Sequence, residues 1–278
     1  MSRGSVEFSI VVTTFERPHL LREALASILC QSTQDWECIV VDDASSQPVS
    51  THDLPDSRFR LVRNEKNLGL AASRNIGIDV AGGSALMFLD DDDIFLPNRI
   101  QLAAQALERA PIGICWSAPM QRPPTRQRIL DGCVHDVILD STSPSLGATA
   151  VKREWMVEFD PTYRASQDLE WWLRISRHAE LATSAEFGHL VRTHQGMRNG
   201  NGVAERIRCS ERLMTDYAEY FRAHRRAAAF RHFRIARMHE LLGNDEGARR
   251  HFRRSLGIRP STHAAVGLSR TLLRRVGG

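Results

Sequence analysis

Phe8-Ser9-Ile10-Val11-Val12, broken by Thr13-Thr14-Phe15-Glu16-Arg17-Pro18, and then Cys38-Ile39-Val40-Val41, stopped by Asp42-Asp43-Ala44-Ser45, decide the fold. Both runs are short, apolar and rich in β-branched residues, the pattern of a buried strand. Between them Pro18 opens a segment with Leu20, Leu21, Ala24, Leu25, Ile28 and Leu29 at helical spacing. Strand, helix and strand in about 35 residues make a β-α-β unit, which requires parallel strands. Working outward, Phe59 to Val62 reads as a third strand and Gly69 to Val80 as a helix with Ala71, Ala72, Ile76 and Val80 on one face. Ala85 to Leu89 reads as a fourth strand ending in Asp90-Asp91-Asp92-Asp93, and Pro97 opens a helix through Arg109. The alternation predicts an α/β fold, Rossmann-like, with a mostly parallel central sheet and flanking helices.

Asp42-Asp43 and Asp90 to Asp93 both sit just past predicted strand ends. In open α/β sheets ligands bind outside the carboxyl ends of the strands, so both clusters are expected to face one crevice. Four consecutive carboxylates repel one another unless a cation neutralises them. A hard divalent ion, Mn²⁺ or Mg²⁺, prefers such oxygen ligands and is commonly shared with substrate phosphates. An isolated Asp run is more often a solvated turn; its place opposite a second acidic cluster raises the metal reading. His194, after a later predicted strand at Phe187 to Val191, offers a nitrogen ligand or is simply a loop histidine.

Beyond the fourth strand the pattern is sparser. Residues 121–135 are rich in Arg and Pro and read as a loop, Gly147 to Val151 as a strand, and Gln167 to His178 as a helix with Leu169, Trp172, Leu173 and Ile175 on its apolar stripe. Helical spacing turns Trp172 inward and leaves Trp171 for surface packing or an acceptor cleft, with Trp116 as core or cleft wall. Gln195 to Gly202 contains three Gly and two Asn and reads as a mobile loop. Residues from Glu205 onward are helical in pattern.

The 278 residues are enough for two domains, or for one large domain with an appendage. The five Cys are scattered with no CxxC pair, which argues against a zinc ribbon or a disulfide framework and fits a reducing compartment. No apolar run reaches membrane-spanning length and no leader pattern is present, so a cytoplasmic protein is expected, at most at the inner face of a membrane. The net charge of +4 conceals a split: Phe221 to Gly278 holds 14 Arg against Glu240, Asp245 and Glu246, a net of +11, and the first 220 residues carry −7. Only Lys66 and Lys152 are Lys among the 37 basic residues, a bias best explained by base composition of the coding sequence. The expected organisation is a body over residues 1–204 and a basic helical extension over 205–278.

In order and spacing, Ser9 to Pro18, Val40 to Ser45, Asn67-Leu68-Gly69-Leu70-Ala71-Ala72-Ser73-Arg74-Asn75 and Phe88 to Asp93 resemble the blocks of family 2 glycosyltransferases with the GT-A fold. The resemblance covers residues 6 to 200. It implies a metal-dependent inverting transferase that takes a nucleotide-diphosphate sugar, of UDP or TDP type, to an acceptor hydroxyl on a glycan, a lipid-linked or another carrier. By the same resemblance Thr13, Glu16, Asp43, Arg74, Asp90 and Asp91 bind the nucleotide sugar, and Asp92 and His194 hold the metal. The catalytic base falls on Asp168 in Gln167-Asp168-Leu169-Glu170-Trp171-Trp172, where the family's usual Glu before the Asp is Gln167; Glu170 is the second candidate. The Gln-x-x-Arg-Trp segment of processive synthases is missing, which favours single additions, with products such as surface glycans or glycoconjugates.

A non-catalytic GT-A-like scaffold presenting its helical tail to partners is the rival reading. A nucleotidyltransferase would be expected to carry a Gly-rich basic phosphate loop, and Thr13 to Pro18 has no Gly. Ala236 to Pro260 resembles one tetratricopeptide-type helix pair, which must bury its face on the body or on a partner. The Arg-rich face also suits peripheral contact with an anionic membrane, or homo-oligomerisation through these helices. Nucleic acid is not expected, since no recognition motif or aromatic interleaving accompanies the charge.

Overall fold

A computed structural model of the protein describes residues 7–127, 129–132, 143–192 and 200–276. They fall into two compact units. The first holds the described residues up to 132 together with 143–162 and 167–192; the second holds 163–166 and 200–276.

The described residues of the first unit form an eight-stranded sheet. In chain order the elements are β1 (Phe8–Thr14), α1 (Pro18–Leu29), β2 (Trp36–Asp42), β3 (Phe59–Arg63), α2 (Leu70–Val80), β4 (Ala85–Asp90), β5 (Ile94–Phe95), α3 (Arg99–Leu107), β6 (Ile112–Pro119), β7 (Thr149–Lys152), α4 (Gln167–Ile175) and β8 (Leu181–Val191). The spatial order is β3-β2-β1-β4-β7-β6-β8-β5. Pairs β3/β2, β2/β1, β1/β4 and β6/β8 are parallel, whereas β7 runs antiparallel to both β4 and β6, and β5 antiparallel to β8. The fold is thus mixed α/β with a mostly parallel sheet.

Every residue of β1 and β2 is buried, which explains their unalternating apolar character. Leu21, Ala24, Leu25 and Ile28 of α1 pack on Ile10, Val12, Cys38, Val40, Met87 and Leu89 of the sheet. Each such large side chain contributes about 1.5–3 kcal/mol by leaving water. The register matters most for function. Thr14 lies beside Asp42 and Thr13 beside Asp90, so three neighbouring strands finish at the same edge.

Trp171 departs from expectation. It is as deeply buried as Trp172, stacks on Phe159 at 5.5 Å between ring centres, and donates its indole N–H to the Val157 carbonyl at 2.8 Å. It is a core residue, neither at the surface nor at a cleft. Helix α4 is covered on more than one side, so both tryptophans find apolar partners.

The second unit contains α5 (Gly200–Asp216), α6 (Ala218–Ala223), α7 (Arg225–Leu241), α8 (Asp245–Ile258) and α9 (Thr262–Val276). Helices α7 and α8 form a tight pair. Gly243 takes a positive φ of 69° in the turn, and the Asn244 side chain caps α8 by accepting from the Gly247 N–H at 2.9 Å. Asp245 and Glu246 in the first turn suit the positive end of the helix dipole. Ala236, Ala248, Phe252 and Ala264 make the core of α7, α8 and α9, the small residues letting the backbones approach. Among the described residues, no helix is long and apolar enough to cross a membrane.

Candidate active site

The ends of β1, β2 and β4 and the start of α2 enclose a cavity of about 250 Å³, lined among others by Thr13, Thr14, Asp43, Asn67, Gly69 and Asp91. Two non-glycine residues in the loops at this edge adopt positive φ, Glu16 at 57° and Ala44 at 65°. Such conformations cost of the order of 1–3 kcal/mol each and persist where surroundings enforce them. Here the enforcement is visible. The Glu16 N–H donates to Ser45 Oγ at 3.0 Å, and the Glu16 carboxylate accepts from the Ser46 N–H at 2.7 Å and the Ser46 hydroxyl at 2.8 Å. Glu16 thereby ties the loop after β1 to the loop after β2.

Asp42 and Asp43 have separate tasks. Asp42 is fully buried and accepts from the Ser45 and Val49 N–H groups and from Arg63 at 2.5 Å. Asp43 lines the cavity. Its carboxylate accepts from Asn64 Nδ2, the Leu68 N–H and the Gly69 N–H, each at 2.8 Å. It therefore fixes the turn that starts α2, where the helix dipole also favours a negative charge. A carboxylate has about four lone-pair positions, so one direction remains toward the cavity.

Arg74 of α2 is 2% exposed, and its guanidinium spans two carboxylates: Asp90 at the end of β4 at 2.8 Å and Asp168 in the first turn of α4 at 2.7 Å. Those two side chains are 44% and 43% exposed. Burial alone would lower the Arg74 pKa, but Asp168 and Asp90 hold it above the ordinary value. Phe159 lies 5.2 Å beneath the guanidinium. The family resemblance assigns Arg74 to the nucleotide sugar; in the structure it joins a β4-tip carboxylate to an α4 carboxylate.

Asp91 accepts from Thr14 Oγ1 at 2.7 Å and from Arg17 at 3.1 Å; Arg17 also reaches Asp92 at 3.0 Å. Burial, with Asp92 adding to it, pushes the Asp91 carboxyl up to about 6 against the pull of Thr14 and Arg17. Asp93 turns the other way: it meets His189 Nε2 at 3.1 Å and accepts from the Arg192 N–H at 2.9 Å, while His189 Nδ1 meets Ser117 Oγ at 3.0 Å. Asp90, Asp92 and Asp93 each offer an oxygen, and the three lie within 4.8 Å of one another. An all-carboxylate donor set of this kind fits a hard divalent cation. His194 lies outside the described residues.

The sequence misses Arg17, Asn64 and His189. Arg17 is signalled only by its place in the Ser9 to Pro18 block; Asn64, just after β3, and His189, on β8, fall in none of the blocks and give no local signal.

Residues 9–133 match the model described as glycosyl transferase family 2. Over these residues, a little under half of the chain, the protein is similar to family 2 glycosyltransferases. An uncharacterized glycosyltransferase of Haemophilus influenzae is 36% identical over 103 residues, 37% of this chain and 35% of that protein. The Escherichia coli UDP-Glc:alpha-D-GlcNAc-diphosphoundecaprenol beta-1,3-glucosyltransferase WfgD is 33% identical over 96 residues, 34% of this chain and 38% of that protein. The matched segment thus spans little more than a third of each of these relatives. Among solved structures, S. aureus TarS 1-349 has a TM-score of 0.65 at 15% identity, over 91% of this chain and 81% of that one. Its complex with UDP-GlcNAc has a TM-score of 0.64 at 16% identity, over 91% and 82%. These likenesses concern the fold, and the matched residues 9–133 include Thr13, Asp43 and Asp91, which line the cavity.

Proposed function

We propose that the protein is a metal-dependent inverting glycosyltransferase that moves one sugar at a time from a nucleotide-diphosphate donor to an acceptor hydroxyl. The observation that carries the proposal is the Arg74 bridge. It holds Asp90 and Asp168 on either side of one guanidinium, on the helix whose first residues line the Thr13–Asp43 cavity.

In this reading Thr13 and Asp43 take the nucleoside. Asp43 uses its remaining lone-pair direction for a base N–H, which suits uracil or thymine, while Glu16 keeps the two loops closed around it. Asp91, anchored by Thr14 and Arg17, borders the same cavity, and Asp90 faces the donor sugar. Mn²⁺ or Mg²⁺ held by Asp92 with Asp90, and with His194 as a further ligand, would offset charge on the departing diphosphate. Asp168 accepts the proton from the acceptor hydroxyl as that oxygen attacks the anomeric carbon from the face opposite the leaving group. Arg74 fixes the direction of the Asp168 carboxylate. No covalent enzyme intermediate is required.

The acceptor is a glycan or a lipid-linked hydroxyl, and the site of action the cytoplasm or the inner face of a membrane. The activity stated in the name of WfgD, on a diphosphoundecaprenol-linked sugar, supports this acceptor class. The test is a thermal-shift panel of nucleotide sugars with and without Mn²⁺, followed by hydrolysis and transfer assays on the hits. Asp92→Asn is expected to abolish the metal-dependent shift, and Asp168→Asn to keep donor binding and lose turnover. Asp168→Asn turning over at the wild-type rate refutes the base assignment. Failure of every nucleotide sugar to bind favours the scaffold reading.

A further inference from the structure

The second unit contains a cluster of ligand-type side chains that the transferase reading leaves unused. Glu211 of α5, His239 of α7 and His251 of α8 each offer one donor atom, and the three atoms lie within 4.8 Å of one another. Three helices separated in sequence deliver them to one point. His251 is 1% exposed and His239 7%, whereas the Glu211 side chain is 41% exposed and marks the open side.

The hydrogen bonding of the three differs. His251 Nε2 meets Glu211 Oε1 at 3.0 Å, and His251 Nδ1 meets His232 Nδ1 at 3.0 Å. His239 has neither: both of its ring nitrogens are buried and lack a hydrogen-bond partner among the described residues. Each unmet polar atom in an interior is costly, which is why such orphans are rare in folded proteins. The space around this ring is also guarded. A Cβ on Gly247, in the first turn of α8, would stand 2.6 Å from His239 Nδ1, so any residue other than glycine would displace the imidazole.

We propose that Glu211, His239 and His251 form a binding site for a divalent transition-metal ion, zinc in particular, through one carboxylate oxygen and two imidazole nitrogens. The donor types are those of zinc rather than of magnesium or calcium, and three protein ligands leave a fourth position for water on the Glu211 side. With His251 ligating through Nε2, its Nδ1 carries the proton and donates it to His232 Nδ1. His232 is then the outer partner that orients a ligating imidazole. Arg250, 3.8 Å from Glu211, competes for the carboxylate. The bound ion ties α5, α7 and α8 together. This site is chemically distinct from the oxygen-only Asp90–Asp92–Asp93 group.

The experiment uses the full chain carrying Asp92→Asn, which disables the oxygen-only site, stripped with a chelator. It is titrated with Zn²⁺ by calorimetry and with Co²⁺ by visible absorption, and its melting temperature is recorded with and without Zn²⁺. The expected result is one equivalent bound, a d–d spectrum of four-coordinate Co²⁺, and a rise in melting temperature. Adding His232→Phe weakens Zn²⁺ by about 10–100-fold. Adding His239→Met weakens it further still and leaves the metal-free melting temperature unchanged or higher, because two orphan nitrogens are gone. Glu211→Gln, on the exposed side, gives the same loss of affinity and covers the case in which the core variant fails to fold. Absence of stoichiometric Zn²⁺ binding by the Asp92→Asn protein overturns the proposal. So does undiminished affinity in both the His239→Met and the Glu211→Gln backgrounds.

Discussion

Replacing Arg74 by Met removes the joint between Asp90 and Asp168 while keeping much of the side-chain volume. Two charge-assisted hydrogen bonds are lost, at 2.8 and 2.7 Å, each of a type worth about 1.5–3 kcal/mol. The gross loss is offset in two ways. Both carboxylates are nearly half exposed, so water can replace the guanidinium. The buried cation also carries its own desolvation cost, which Met does not have. The net destabilisation expected is about 1–3 kcal/mol, read as a lower urea midpoint with an unchanged m-value. Catalysis is hit harder than folding, because both carboxylates lose their direction at once. A displacement of about 1 Å at a reacting group can cost on the order of 10²-fold, so kcat should fall by at least that factor and the donor KM rise by much less. Arg74→Lys, whose ammonium can serve only one of the two carboxylates in fork geometry, should fold nearly as well as wild type and remain strongly impaired. The assay is release of nucleoside diphosphate under saturating donor, with a parallel unfolding curve for each variant. A well-folded Arg74→Met protein with kcat within a few-fold of wild type would show that neither Asp90 nor Asp168 needs this bridge.

Asp43→Asn places an amide NH₂ against the Gly69 or Leu68 N–H and should cost about 1–3 kcal/mol while weakening nucleotide binding, checked by urea unfolding and by calorimetry with UDP. Tyr163 donates to Asp216 at 2.7 Å, and burial together with that carboxylate raises the phenol well above its ordinary value. The folded protein thus keeps a proton that the unfolded chain releases above pH of about 10, so this contribution is intact below that value and fades as pH rises beyond it. Tyr163→Phe should cost about 1–2 kcal/mol at neutral pH and flatten part of the alkaline loss, both measurable by thermal melts across pH. Trp171→Ala should cost about 3–5 kcal/mol, since the ring is fully buried against Phe159 and its N–H partner would be stranded; a loss confined to activity would return Trp171 to a cleft.

The first four strands of the sheet are legible because each is a short apolar run flanked by breakers, and because parallel pairing buries both faces. That same logic brings Asp43, Asp90 and Asp91 to one edge. The second half of the sheet is harder to read. β8 begins Leu181-Ala182-Thr183-Ser184-Ala185-Glu186, with few strand formers, so only its last residues stand out. β5 is two residues long and exists by pairing with β8, a contact remote in sequence. Roles inside the site were partly hidden for the same reason. Nothing near Arg74 in sequence announces that Asp168, 94 positions away, shares its guanidinium. The Glu211, His239 and His251 cluster is invisible to any local pattern, because three helices must pack before it exists.

The doublet Asp42-Asp43 shows what happens to adjacent like charges at a strand tip. Neighbouring side chains on extended backbone leave in opposite directions, so one member is drawn inward to a cationic partner and the other outward to the solvent-facing hollow. A hollow bordered by such doublets therefore presents a weaker negative field than a tally of acidic letters implies. An anionic guest meets a milder barrier on entry, and a substitution at the inward member would be felt as misfolding long before it was felt as altered recognition.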